Sequence, residues 1–141
     1  MTMCISRVVI CLMLVIGLCA CGGGGDQSPV PTTPAISSLQ YTPAALTVNT
    51  LTNVNWQFDY SDTGGDISTG TYTVFNPSGV QVYTKTIDLT PFILGKKTGT
   101  QFGTTFNVTF LTVGTYTANM FVTDSAGASS NSLTATFTIV P

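Results

Sequence analysis

Residues 53–60 read NVNWQFDY, and this octet constrains the fold more than any other stretch of the chain. Val54, Trp56, Phe58 and Tyr60 alternate with Asn53, Asn55, Gln57 and Asp59, so one face is wholly apolar and the other wholly polar. A strand sorts residues in this way because its successive side chains point to opposite faces, whereas a helix would spread the same four apolar groups around its circumference. The two-residue period returns in Phe106-Val108-Phe110, in Tyr116-Ala118-Met120-Val122 and in Leu133-Ala135-Phe137-Ile139. Short alternating runs divided by turn residues predict an all-β sandwich or barrel, and no stretch of the domain carries helical periodicity.

The remaining strands follow from their punctuation. Residues 36–41 begin the first strand, Pro43 interrupts it, and Leu46 and Val48 resume it, as expected of an edge strand that switches between sheets. Residues 71–75 and 80–87 form a predicted hairpin around Asn76-Pro77-Ser78-Gly79, with proline where its fixed φ suits the turn. Residues 61–69 (SDTGGDIST) read as a loop, and Asp124-Ser125-Ala126-Gly127 as the turn before the last strand. Residues 89–103 have no legible period.

The N-terminal stretch is of another kind. Arg7 precedes an apolar run over residues 8–18 that ends in small residues, the layout of a signal peptide. The run is shorter than the roughly 20 apolar residues that a membrane-spanning helix needs. All four cysteines, Cys4, Cys11, Cys19 and Cys21, lie within the first 21 residues, so the domain beyond has neither a disulfide framework nor a Cys-based metal site.

Leu18-Cys19-Ala20-Cys21 resembles the bacterial lipoprotein lipobox, which has leucine three residues before an obligatory cysteine and a small residue just before it. The resemblance implies diacylglyceryl transfer to the Cys21 thiol, removal of residues 1–20 and acylation of the new amine. Two or more acyl chains anchor stably where one does not. Gly22, in place of aspartate after the cysteine, implies the outer membrane in a Gram-negative cell envelope. The plainer alternative is an ordinary secretory signal cut nearby, leaving Cys21 a free thiol. Residues 21–34 then hold the lipidated cysteine and a Gly/Pro tether, GGGGDQSPVPTTP, whose extended reach is on the order of 40 Å. The folded domain is expected over residues 35–141.

Residues 111–139, LTVGTYTANMFVTDSAGASSNSLTATFTI, look like the final two strands of bacterial immunoglobulin-like domains, including PKD-type and cadherin-like modules. The expected fold is an immunoglobulin-like antiparallel β-sandwich of about seven or eight strands. The GTY element resembles a tyrosine corner, which implies that the Tyr116 hydroxyl bonds back to the preceding loop. The cysteine pair of antibody domains is missing, with Ala118 standing at the second position.

Function is bounded by what the domain lacks. It contains no His and no Glu, and three lysines against six aspartates leave the chain beyond residue 20 at −3 with no basic cluster. Nucleic acid, which demands clustered Lys or Arg, is not an expected partner. Without His, Glu or a domain cysteine, and with no Ser-x-x-Lys or glycine-rich nucleophile elbow, the chain does not read as an enzyme.

Two clusters stand out as candidate sites. Asp59, Asp62 and Asp66 lie in FDYSDTGGDIS, where a Gly-containing acidic loop suits Ca²⁺ and its six to eight oxygen ligands; the same residues are also what an interstrand turn selects. Phe92, Ile93 and Leu94 precede Lys96 and Lys97, as in an interaction loop for anionic headgroups or glycans, or as in a short edge strand whose lysines discourage pairing. Trp56, Phe58, Tyr72 and Tyr116 fall on inward positions, leaving Phe75, Tyr83 and Phe121 as the outward aromatics that a sugar could stack on. The expected function is a non-enzymatic lipoprotein held to the membrane by acyl chains on Cys21. Its domain would serve adhesion, scaffolding or protein–protein association at the bacterial envelope, with an unknown protein or glycan partner. The alternative is a ligand-binding module for glycan or calcium.

Overall fold

A computed structural model describes residues 32–141 and, for residues 105–107, the backbone alone. The lipobox residues Leu18, Cys19, Ala20 and Cys21 lie outside the described residues. Eight strands occur in the order β1 (Ala35–Thr42), β2 (Ala45–Thr47), β3 (Thr52–Ser61), β4 (Ile67–Phe75), β5 (Gln81–Asp88), β6 (Thr98–Val108), β7 (Gly114–Asp124) and β8 (Leu133–Val140), with one helical turn, α1 (Thr90–Ile93), between β5 and β6. They form two sheets, β1-β3-β6 and β2-β8-β7-β4-β5. All neighbours are antiparallel except β2, which runs parallel to β8. In immunoglobulin lettering the sheets are A-B-E and A′-G-F-C-C′, so the fold is an immunoglobulin-like sandwich whose first strand divides between the sheets at Pro43.

Alternation accounts for the core. Val54, Trp56, Phe58 and Tyr60 of β3 face Tyr116, Ala118, Met120 and Val122 of β7 across the sandwich, all of them buried. Burying each large apolar side chain contributes roughly 1.5–3 kcal/mol. Trp56 fits only because residue 103 is glycine: a Cβ there would lie 2.0 Å from the indole Cζ2. The Trp56 Nε1 has no hydrogen-bond partner among the described residues. That cost, about 1–3 kcal/mol, is smaller than the gain from burying so large a ring.

The structure departs from the sequence expectations in four places. Strand β4 begins at Ile67 and β3 reaches Ser61, so the predicted 61–69 loop is shorter than its composition suggested. Residues 89–103 resolve into α1 and the first half of β6. In that half, TGTQFG places glycines and polar residues where an alternating pattern would carry apolar ones. Phe92, Ile93 and Leu94 do not form an edge strand. Pro91 stands in the first turn, where its fixed φ suits a helix start, and just ahead of it the Asp88 carboxylate turns the chain by accepting from the Thr90 N–H (2.9 Å). Lastly, Pro34 is fully buried and the Thr32 hydroxyl accepts from the Gly64 N–H (2.9 Å), so part of the stretch assigned to the tether is docked on the domain.

Candidate functional site

The two ends of the sandwich are chemically unlike. At the end where the described chain begins, three connections meet: residues 62–66, α1 with residues 94–97, and the turn after β7. The Asp62 N–H donates to the Lys97 carbonyl (2.7 Å), the Gly95 N–H to the Gly65 carbonyl (2.7 Å) and the Ser125 N–H to the Asp66 carbonyl (3.0 Å). Side chains reinforce this weave. Asp62, only 1% exposed, accepts from the Gly64 N–H (3.1 Å) through Oδ1 and from the Asp66 N–H (2.8 Å) through Oδ2. Asp124, also buried, accepts from the Ala128 N–H (2.8 Å), and Ser125 Oγ donates to the Asp66 carboxylate.

These contacts show what the three aspartates of the calcium expectation bind in the described residues. Asp59 and Asp62 are three residues apart on an extended chain and therefore face opposite sides. Asp59 points outward, where it accepts from the Thr100 hydroxyl (2.6 Å), while Asp62 and Asp66 are spent on backbone N–H groups and Ser125. Among the described residues no group of three or more Asp, Glu, His or Cys is placed to hold a metal ion. The acidic loop is an interstrand turn in which the carboxylates replace missing ladder bonds.

Electrostatics at this end follow the same local bonding. The Thr100 hydroxyl and then Ser38 lower the pKa of Asp59, and the Thr90 hydroxyl and N–H lower that of Asp88. The predicted interaction loop is split by α1. Ile93 is buried, Phe92 and Leu94 are exposed, and Lys96 folds back to donate to the Phe92 carbonyl (2.7 Å). Lys97 supplies the backbone carbonyl that receives the Asp62 N–H.

The opposite end carries no charged side chain in any of its three connections, residues 48–51, 76–80 and 109–113. They are tied together by the Asn49 N–H donating to the Phe110 carbonyl (2.9 Å) and by the packing of Gly114 onto Pro77, where an added Cβ would come within 2.7 Å of the proline ring. Asn76 Oδ1 closes the β4–β5 turn by accepting from the Ser78 and Val80 N–H groups, and Gly79 adopts the positive φ (76°) that the turn requires. Tyr116 Oη donates to the Thr112 carbonyl (3.1 Å), with its ring stacked on Phe137 and edge-on to Phe110.

Large apolar side chains remain in solvent around this frame. Leu111 is 75% exposed and Leu51 64%, and Val80, Val82, Val113 and Val140 are exposed beside them. A cavity of about 300 Å³ opens here between the β4–β5 and β6–β7 connections, lined by Asn76, Val82, Tyr83 and Leu111 among others. Sequence reasoning missed this patch, although a signal was present: aliphatic residues occupy loops such as LTV (111–113) and the start of VQV (80–82), with no charged neighbour. The outward aromatic ring at Phe102 was missed as well. It is 63% exposed on the outer face of β6, whereas Tyr83 stacks on Tyr72 (5.4 Å).

No protein-family model matches the chain. No curated protein matches it. Among solved structures it is similar to the alkylpurine DNA glycosylase AlkC of Pseudomonas fluorescens, bound to DNA containing an abasic site analog, with 18% identity and a TM-score of 0.51 over 77% of this chain and 30% of that one. It is also similar to the PKD domain of an M14-like peptidase from a Thermoplasmatales archaeon (20% identity, TM-score 0.46, 79% of this chain and 98% of that one). A third is the CARDB domain of a Pyrococcus furiosus protein in complex with di-metal ions (16% identity, TM-score 0.44, 77% and 89%). At such identities the likeness is one of fold, and the strand order identifies that fold as immunoglobulin-like.

Proposed function

We propose that this chain is a lipid-anchored protein of the bacterial envelope whose immunoglobulin-like domain associates with another protein through the uncharged end of the sandwich. One observation carries the reading. Leu51, Val80, Val82, Leu111 and Val113 are exposed together on the end opposite Thr32, where the chain leads back toward Cys21. Contiguous exposed apolar surface without charge is what a protein-binding patch presents, and a tether attached at the far end leaves it free to meet a partner. Adhesion and scaffolding are both served by such a geometry. A glycan-binding reading would rest on Phe102, a single exposed ring rather than a cluster on one sheet face.

Anchoring and association are tested separately. Cys21→Ala is expected to abolish palmitate labelling and release the protein from membranes, and labelling that persists in the variant rejects the anchor. Cross-linking in the native cell followed by copurification is expected to yield a defined partner that is lost on Leu111→Asp. A yield unaffected by that substitution rejects the uncharged end as the contact.

A further inference from the structure

The two sheets have four outer edges, and three of them are protected against pairing. Strand β1 is broken by a register shift between Ser37 and Gln40, with Ser38 at positive φ (59°). Strand β2 is three residues long. Strand β5 carries Lys85 opposite the buried Tyr72, an inward-pointing charge, together with a register shift at Phe75. Bulges, short length and inward charges are the devices by which sheets avoid adding a foreign strand.

Strand β6 is neither short nor crossed by an inward charge, and its register shift falls at one end, between Thr105 and Val108, which leaves residues 98–105 in unbroken register with β3. It runs for 11 residues, Thr98–Val108, with no charged residue and no proline, and among the described residues it pairs with β3 on one side only. On its outer face Phe102 stands 63% exposed, and among the described side chains the bond to a carbonyl of its central residues comes from Gln101 Nε2 to Phe102 O (2.6 Å).

We propose that β6 is the self-association edge of the protein: two copies pair β6 to β6 antiparallel, joining their three-stranded sheets into one of six strands. Antiparallel pairing of identical strands is a closed, two-fold arrangement, so it removes both free edges at once. An edge without charge brings no like charges together across the axis, and a two-fold near Phe102 sets the exposed rings of the two copies beside each other. The chain's own preceding segment is a poor occupant. Residues 22–31 carry four glycines and two prolines and have no alternating apolar pattern. The pairing places the two Thr32 ends at opposite ends of the paired strands, about 30 Å apart, a span that ten extended residues can cover.

Sedimentation velocity tests this on two proteins, residues 32–141, which hold all eight strands and the core of the described chain, and the same domain extended back to residue 21 with Cys21→Ala. Both are expected to be dimers at about 50 μM. Phe102→Lys, which sets like charges across the two-fold, is expected to weaken the dimer at least tenfold while leaving the melting temperature of dilute, monomeric protein unchanged, whereas Phe92→Lys leaves the dimer intact. Hydrogen exchange gives a second readout that needs no variant, because β6 amides should slow with protein concentration while β5 amides do not. The proposal is overturned by monomers at about 100 μM, by a dimer that survives Phe102→Lys, or by a monomer formed only when residues 21–31 are present, since the chain would then cover its own edge. Loss of partner capture in Leu111→Asp leaves this result untouched, so the two proposals fail independently.

Discussion

The two ends of this sandwich each draw three connections together yet use opposite chemistry. At the Thr32 end, buried Asp62 and Asp124 and the partly exposed Asp66 bind backbone N–H groups and a serine, locking three connections into one another. At the other end no charged side chain takes part. Asn76, Pro77, Gly79 and the Tyr116 hydroxyl hold the loops, and the aliphatic side chains they carry stay in water. The difference shows where order comes from internal hydrogen bonding alone and where the surface still has unburied apolar area to offer. Stability should therefore be concentrated in the charged end and association in the uncharged one.

The largest effect expected from breaking this contrast is at Asp62. Asp62→Ala removes the acceptor of the Asp66 N–H, leaves the Gly64 N–H with the Thr32 hydroxyl alone and empties a buried site, and a loss of about 3 kcal/mol is expected in urea unfolding. A loss below about 0.5 kcal/mol would mean that the weave is decorative.

A smaller effect is expected between the two ends at Tyr41, which packs against Phe137 and whose pKa burial raises from 10.0 to about 12. A folded-state pKa above the unfolded one contributes stability that is present below pH 10 and is lost as pH rises toward 12. The alkaline limb of stability should therefore fall by about 2 kcal/mol across that window and flatten in Tyr41→Phe, measured by unfolding at fixed pH steps.

At the uncharged end, Tyr116→Phe keeps the ring stacking and removes only the bond to Thr112. It should cost about 1 kcal/mol, a third of the Asp62 effect, in the same titration.

The smallest stability change belongs to Leu111→Ser, within about 0.5 kcal/mol because the side chain is in solvent. Its expected consequence is weaker capture of the partner in a pull-down with equal amounts of folded protein.

The sequence disclosed the core more fully than the surface. Where both faces of a strand follow the two-residue period, as in β3 and β7, the predicted inward residues are buried, and in β8 the same alternation runs from half-buried Leu133 and Ala135 to buried Phe137 and Ile139. Pro43 likewise marked where the first strand crosses between sheets. The period fails in TGTQFG because β6 uses glycine where Trp56 needs room and places Phe102 in solvent, so its pattern reports a neighbour's shape rather than its own burial. The acidic loop stayed ambiguous for a related reason. Carboxylates that cap backbone N–H groups and carboxylates that hold a cation share one composition, and only the direction of each side chain separates them. Exposed aliphatic loops were overlooked because a lone Leu or Val in a turn carries no period at all.

The contrast between the two ends can be read directly in cells. A photo-cross-linking amino acid placed at Leu111, and in a separate strain at Phe92, puts the same probe on the uncharged end and on the charged one, at residues that are both exposed. A discrete adduct from position 111 with none from position 92 is the predicted result. Adducts from position 92 alone, or equally from both, would contradict the assignment of association to the uncharged end.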